Sequence, residues 1–103
     1  MTSQDLFDRI RQTPLLLAYF SIPACNVCVV LRPKVERMAA EHAGVEFMYV
    51  DSSMYPDVAG QHVVFAAPTV IVFMEGREVA RFSRSVSVGE IEAVLERVVG
   101  ARE

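Results

Sequence analysis

A chain of 103 residues, 52% apolar and 22% charged, with a net charge of −3, has the size and composition of one globular domain with a true core. No block of Lys or Arg runs through it, which argues against nucleic acid as a partner. Its longest apolar stretches, Leu15–Phe20 and Val63–Phe73, are too short to span a membrane, and Pro68 interrupts the second.

Residues 3–11 are predicted to be helical, with Leu6, Phe7 and Ile10 on one face and Thr2 or Ser3 placed to cap the first amides. Thr13-Pro14 breaks that pattern. The continuous apolar run Leu15–Phe20 then has the length of a strand covered on both faces. Ser21-Ile22-Pro23-Ala24 is a loop. From about Cys25 to His42, Val27, Leu31, Val35 and Met38 recur at helical spacing, with Arg32, Lys34, Glu36 and Arg37 off that stripe. Pro33 falls inside this helix, where it removes one backbone hydrogen bond and is expected to kink it; Ala43-Gly44 ends it.

Val45–Val50 reads as a second buried strand that stops at Asp51. Residues 52–61 form a loop with a short helix, limited by Pro56 and Gly60. The stretch 63–67 leads into Pro68, and Thr69–Phe73 is a third strand rich in β-branched residues. Glu75-Gly76 is a tight turn before a fourth strand, Glu78–Phe82, so these two strands form a hairpin. The capping box Ser87-Val88-Gly89-Glu90 opens a final helix with Ile91, Val94, Leu95 and Val98 on one face. The order α-β-α-β-α-β-β-α predicts an α/β fold over residues 1–103: a central mixed four-stranded sheet with helices on both faces. Met38, Met48 and Met74 are expected in the core. Arg77, Arg81 and Arg84 are expected to form a solvated face, His62 to lie at the surface, and His42 to sit at a helix C-terminus.

The N-terminal MTSQDLFDRIRQ lacks an apolar run of signal-peptide length, so the chain is expected to be cytoplasmic. In a reducing compartment a close cysteine pair is redox-active or metal-binding rather than a structural staple. Cys25 and Cys28 are the only cysteines, and they stand where the first strand gives way to a helix. Tetrahedral zinc takes four ligands, and His42 and His62 lack the close pairing of a zinc motif, so neither a metal nor a cofactor is expected. The thiolate, not the thiol, attacks a disulfide. At the start of a helix, unpaired amides and the positive dipole end favour the anion of Cys25, while Cys28, one turn further in, is expected to keep its proton longer.

Four features fall in order. Cys25-Asn26-Val27-Cys28 starts a helix after a buried strand. Pro33 lies five residues after the second cysteine, Asp51 closes the next strand, and Ala67-Pro68-Thr69 precedes a hairpin. In these, over roughly residues 13–99, the chain resembles the thioredoxin family. The resemblance implies a thioredoxin-like fold and a thiol–disulfide oxidoreductase that reduces protein disulfides through a mixed disulfide. It implies Cys25 as nucleophile, Cys28 as resolving thiol, and Pro68 in cis beside the sulfurs. The backbone of Ala67 would pair with a substrate strand, with Asn26, Val27 and Arg84 also in the substrate-binding rim. Pro33, Asp51 and Tyr19 are structural in this reading. The implied partners are disulfide-containing protein substrates and an electron-donating reductase, with no nucleic acid and no membrane.

The chain also departs from the family's pattern. Asn26-Val27 replaces Gly-Pro between the cysteines, and Ala24 replaces the preceding Trp. Tyr19 stands where the family has a buried Asp, Phe47 where it has that acid's Lys partner, and Arg84 where a groove glycine is usual. No edge strand is evident before Thr13. The alternative from another class is a thioredoxin-fold binding module that holds an extended segment around Ala67, Pro68 and Arg84, its cysteine pair incidental.

Overall fold

A computed structural model describes residues 1–102; Glu103, the last residue of the domain expected over 1–103, lies outside the described residues. The elements are α1 (Ser3–Gln12), β1 (Leu15–Ser21), α2 (Asn26–Ala40), β2 (Glu46–Asp51), α3 (Pro56–Gln61), β3 (Thr69–Met74), β4 (Arg77–Ser83) and α4 (Val88–Arg102). The sheet order is β2-β1-β3-β4. β1 runs parallel to β2 and antiparallel to β3, and β3 pairs antiparallel with β4, giving the mixed sheet expected from the element order.

All seven residues of β1 are buried because it has a strand on each edge and helices on each face. Alternation sorts its side chains into two cores. Leu16, Ala18 and Phe20 join Leu6 and Ile10 of α1, Val58 of α3, and Met48, Ile71 and Phe73 of the sheet. Leu15, Leu17 and Tyr19 join Cys28, Val35 and Met38 of α2, Val70 and Val72 of β3, and Ile91 and Leu95 of α4. Each buried Leu, Ile, Val, Phe or Met contributes about 1.5–3 kcal/mol relative to exposure, which fixes the register of β1.

Local chemistry sets the ends of the elements. Thr2 caps α1 through a reciprocal box: the Asp5 amide donates to Thr2 Oγ1 (3.1 Å), and the Thr2 amide donates to the Asp5 carboxylate (2.8 Å). Glu75 and Gly76 have φ of 52° and 78°, the left-handed pair of a two-residue type I′ hairpin turn. A Cβ on Gly76 would also stand 3.3 Å from Arg11 Cα, so this glycine answers two constraints. At α4, the Glu90 amide donates to Ser87 Oγ over a long 3.4 Å.

Three expectations are corrected. The inward stripe of α2 starts at Cys28, not Val27, which is 63% exposed. A helix turns about 100° per residue, so with Cys28 facing the sheet its neighbour Val27 points aside. His62 is not a surface residue: it is half-buried, its ring 5.3 Å from that of Phe73 and 5.9 Å from that of Phe7, with Nδ1 2.9 Å from the Val58 carbonyl. Arg81 is not merely solvated. Its guanidinium donates to the carbonyls of His62 and Val63 and pairs with Glu78, tying β4 to the segment before Pro68.

Candidate active site

Cys25 is the N-cap of α2. Its backbone is extended, its amide donates to the Ile22 carbonyl (3.1 Å), and its Sγ accepts the Cys28 amide (3.2 Å). The two cysteines are joined by a disulfide, with Cα atoms 5.3 Å apart. Cys25 is half-buried, while Cys28 is only 2% exposed. The cap position that a Ser or Asp oxygen commonly fills is filled here by sulfur, so the amide that would stabilise a Cys25 thiolate is already aimed at it.

Beneath the pair, the Tyr19 hydroxyl donates to the Cys28 carbonyl (2.9 Å). The Tyr19 ring stacks on Tyr49 at 6.2 Å and lies 6.1 Å from Phe47, and the Arg32 guanidinium lies over Tyr49, 3.7 Å from its ring centre. Burial, with the neighbouring Tyr49, pushes the Tyr19 hydroxyl up to about 12, and the charge of Arg32 only partly offsets this. Tyr19 is therefore a neutral hydrogen-bond donor at physiological pH and not a base.

The Ala67–Pro68 peptide bond is cis. The Arg84 amide donates to the Pro68 carbonyl (3.1 Å), and Thr69 Oγ1 donates to the Ala66 carbonyl (2.7 Å). Ala67 and Cys25 pack against the same core cluster. Among the described residues no hydrogen bond uses the Ala67 amide or carbonyl. Ile22 and Phe65, which is 86% exposed, line a cleft together with Ala66 and Ala67, and Val29 and Val30 on α2 are exposed as well. Asn26 and Val27 line a shallow groove with Val30, Leu31 and Lys34.

Arg84 has φ of 66°, a left-handed conformation that costs a side-chain-bearing residue roughly 1 kcal/mol. The exposed Arg84→Gly variant is expected to be more stable by about 0.5–1 kcal/mol, read as a higher midpoint in urea denaturation.

Pro33 and Asp51 play other parts. Pro33 is exposed on α2, which continues through it to Ala40. Asp51 ends β2, and its carboxylate accepts from the Ser53 hydroxyl (2.6 Å), the Ser53 amide (2.9 Å) and the Met54 amide (3.3 Å). The Ser53 hydroxyl chiefly, with these amides, holds that carboxyl below its ordinary value. The sequence reading missed Arg32 and Phe65. Arg32 carried a signal, since it follows Cys28 by one helical turn; Phe65, in a loop, carried none. At the other end of α2, His42 Nε2 lies 3.0 Å from Glu92 Oε2, with Glu96 close by.

The family model described as Thioredoxin matches residues 1–97. The chain belongs to the thioredoxin family. It is 36% identical over 98 residues to the thioredoxin of Chlamydia muridarum, covering 95% of this chain and 93% of that one. It is 28% identical over 89 residues to the thioredoxin-like protein YdfQ of Bacillus subtilis, covering 86% and 80%. Among solved structures, Fasciola hepatica thioredoxin superposes with a TM-score of 0.77 at 30% identity, covering 91% of this chain and 88% of that one. Thioredoxin 1 of Thermosipho africanus gives 0.79 at 29% identity, covering 84% and 97%. The protein is thus a thioredoxin-type thiol–disulfide oxidoreductase, a disulfide reductase with a Cys-x-x-Cys redox pair, acting on disulfide substrates and recharged by a reductase. Among the described residues no helix is long and apolar enough to cross a membrane.

Proposed function

We propose that Cys25 is the attacking thiolate, Cys28 the resolving thiol, and disulfide-containing proteins the substrates. The Cys25 thiolate attacks one sulfur of the substrate disulfide, and the other leaves as a thiolate that takes a proton from water. The Cys28 thiolate then attacks Cys25 Sγ and the second substrate sulfur leaves. The substrate gains two electrons and the protein ends with the Cys25–Cys28 disulfide. An electron-donating reductase returns it to the dithiol.

One observation carries this assignment: Cys25 is half-buried and its Sγ receives a helix N-terminal amide, while Cys28 is only 2% exposed. The unused backbone groups of Ala67 support a substrate segment laid beside the cis-Pro68 loop, with Asn26, Val27 and Arg84 at its rim. Asp51 and Pro33 shape the scaffold. We place this activity in the cytoplasm, within one domain over residues 1–103.

Two measurements test the roles. Iodoacetamide should alkylate one thiol of the reduced protein well below the ordinary cysteine value of about 8.5, and peptide mapping should locate it at Cys25. Cys28→Ser should accumulate partner proteins as dithiothreitol-sensitive adducts at Cys25. Equal, unshifted reactivity of both thiols, or adducts on Cys28 in Cys25→Ser instead, would reverse the assignment.

A further inference from the structure

The second half-reaction requires a buried thiol to lose its proton, and among the described residues no carboxylate belongs to the core cluster that holds Cys28. A cleft of about 260 Å³ opens beside Cys28, lined by Ser21, Ile22, Pro23, Val29, Arg32 and Tyr49. It is wide enough for several waters. Arg32 stands one helical turn after Cys28 on α2, so the two share a face of the helix. Stacking on Tyr49 holds its guanidinium at this cleft. We propose that the cleft is the proton exit of Cys28 and that Arg32 is the positioned charge that stabilises the Cys28 thiolate.

Among the described residues, the charged and titratable groups facing Cys28 are few. On α2 they are Cys25 and Arg32; β1 and β2 contribute Tyr19 and Tyr49; β3 and α4 offer only Val70, Val72, Ile91 and Leu95. Glu36 follows Arg32 by one more helical turn, with its carboxylate 4.0 Å from the Arg32 Nε, at the limit of an ion pair. Among the described residues, Arg32 is thus the one cation that lines the cleft. Its charge already reaches the Tyr19 hydroxyl, which is bonded to the Cys28 carbonyl. A guanidinium stays charged at any pH at which a thiol titrates, so it offers a constant field and takes up no proton itself.

The step balances simply. In the mixed disulfide, Cys28–SH passes its proton to water in the cleft. Its thiolate forms the bond to Cys25 Sγ, the bond between Cys25 and the substrate sulfur breaks, and the leaving thiolate is protonated from solvent. Arg32 touches none of the reacting sulfurs and is a positioning residue.

This inference rests on Cys28 as the resolving thiol, and the test separates the two claims. Reduced protein is mixed with a limiting amount of dithiobis(nitrobenzoate) in a stopped-flow device. The first nitrothiobenzoate is released when the Cys25 adduct forms, and the second when Cys28 displaces it; the second rate is followed from pH 5 to 9. Arg32→Gln is expected to slow the second release about three- to tenfold at pH 7 and to move its pH profile upward, with the first release little changed. Arg32→Lys, which restores the charge, is expected to recover most of the rate. A slower rate with an unmoved pH profile, or a rate equal to wild type in Arg32→Gln, overturns the role of Arg32 but leaves Cys28 as resolver. Persistence of the second release in Cys28→Ser overturns the resolver itself. Arg32 is 43% exposed along its side chain, so these variants are expected to fold, which their circular dichroism checks.

Discussion

Cys25→Ser is expected to lose at least about a thousandfold in disulfide reduction, equivalent to about 4 kcal/mol of transition-state stabilisation. A serine at the cap would still accept the amide that Cys25 Sγ accepts at 3.2 Å, so α2 would start in the same place and the fold should be unharmed. What disappears is the nucleophile: an alkoxide is not populated near neutral pH, and an oxygen cannot exchange with a disulfide. An insulin-type reduction assay gives the rate, and urea denaturation of the same sample confirms intact stability. Retained activity would favour the binding-module alternative, in which the sulfurs are incidental.

Tyr19→Asp is expected to destabilise the protein by about 3–5 kcal/mol, a large share of a typical domain's total. The Tyr19 ring is fully buried among Phe47, Tyr49 and Cys28, and its hydroxyl is spent on the Cys28 carbonyl. The shorter acid leaves a void where the ring was and puts a carboxyl among aromatic rings, with Phe47 where a lysine partner would be needed. Burial would raise that carboxyl's value in the folded state, so the deficit should grow as pH rises above the unfolded value near 4. Urea midpoints at pH 5 and pH 8 would show both the loss and its trend. Tyr19→Phe, which removes only the hydroxyl, should cost about 1 kcal/mol, and Phe47→Lys added to Tyr19→Asp should restore part of the deficit. A single variant as stable as wild type would mean that this pocket is wetter than its packing implies.

The features legible in the sequence were those whose physics is local. Leu15–Phe20 announced a strand covered on both faces because no polar residue interrupts it. Glu75-Gly76 announced a hairpin because one residue there is free to take a positive φ. Cys25, placed between strand and helix, announced a sulfur at a helix start. The illegible features depend on neighbours distant in the chain. Val27, Val29 and Val30 are all apolar, so the rotational phase of α2 could not be read until Cys28 was seen facing the sheet. His62 is half-buried because α1 and β3 bring Phe7 and Phe73 against it, residues 55 positions before it and 11 after. Arg81 sits on an edge strand, where solvation is the natural expectation, yet it reaches carbonyls 18 and 19 positions earlier in the chain. The substitution of Arg for Gly at position 84 was visible as a letter, but the left-handed backbone that makes it costly was not.

β1, buried along its whole length, ends four residues before Cys25, and the Ser52 amide pins its last carbonyl, that of Ser21. The sulfur therefore stands one short loop beyond a strand that is packed on both faces and tied at its end. An incoming partner meets a preorganised electrophile–nucleophile station and need not spend association energy on ordering it, so discrimination between partners falls to how readily each partner's own chain can be drawn out and laid against the rim.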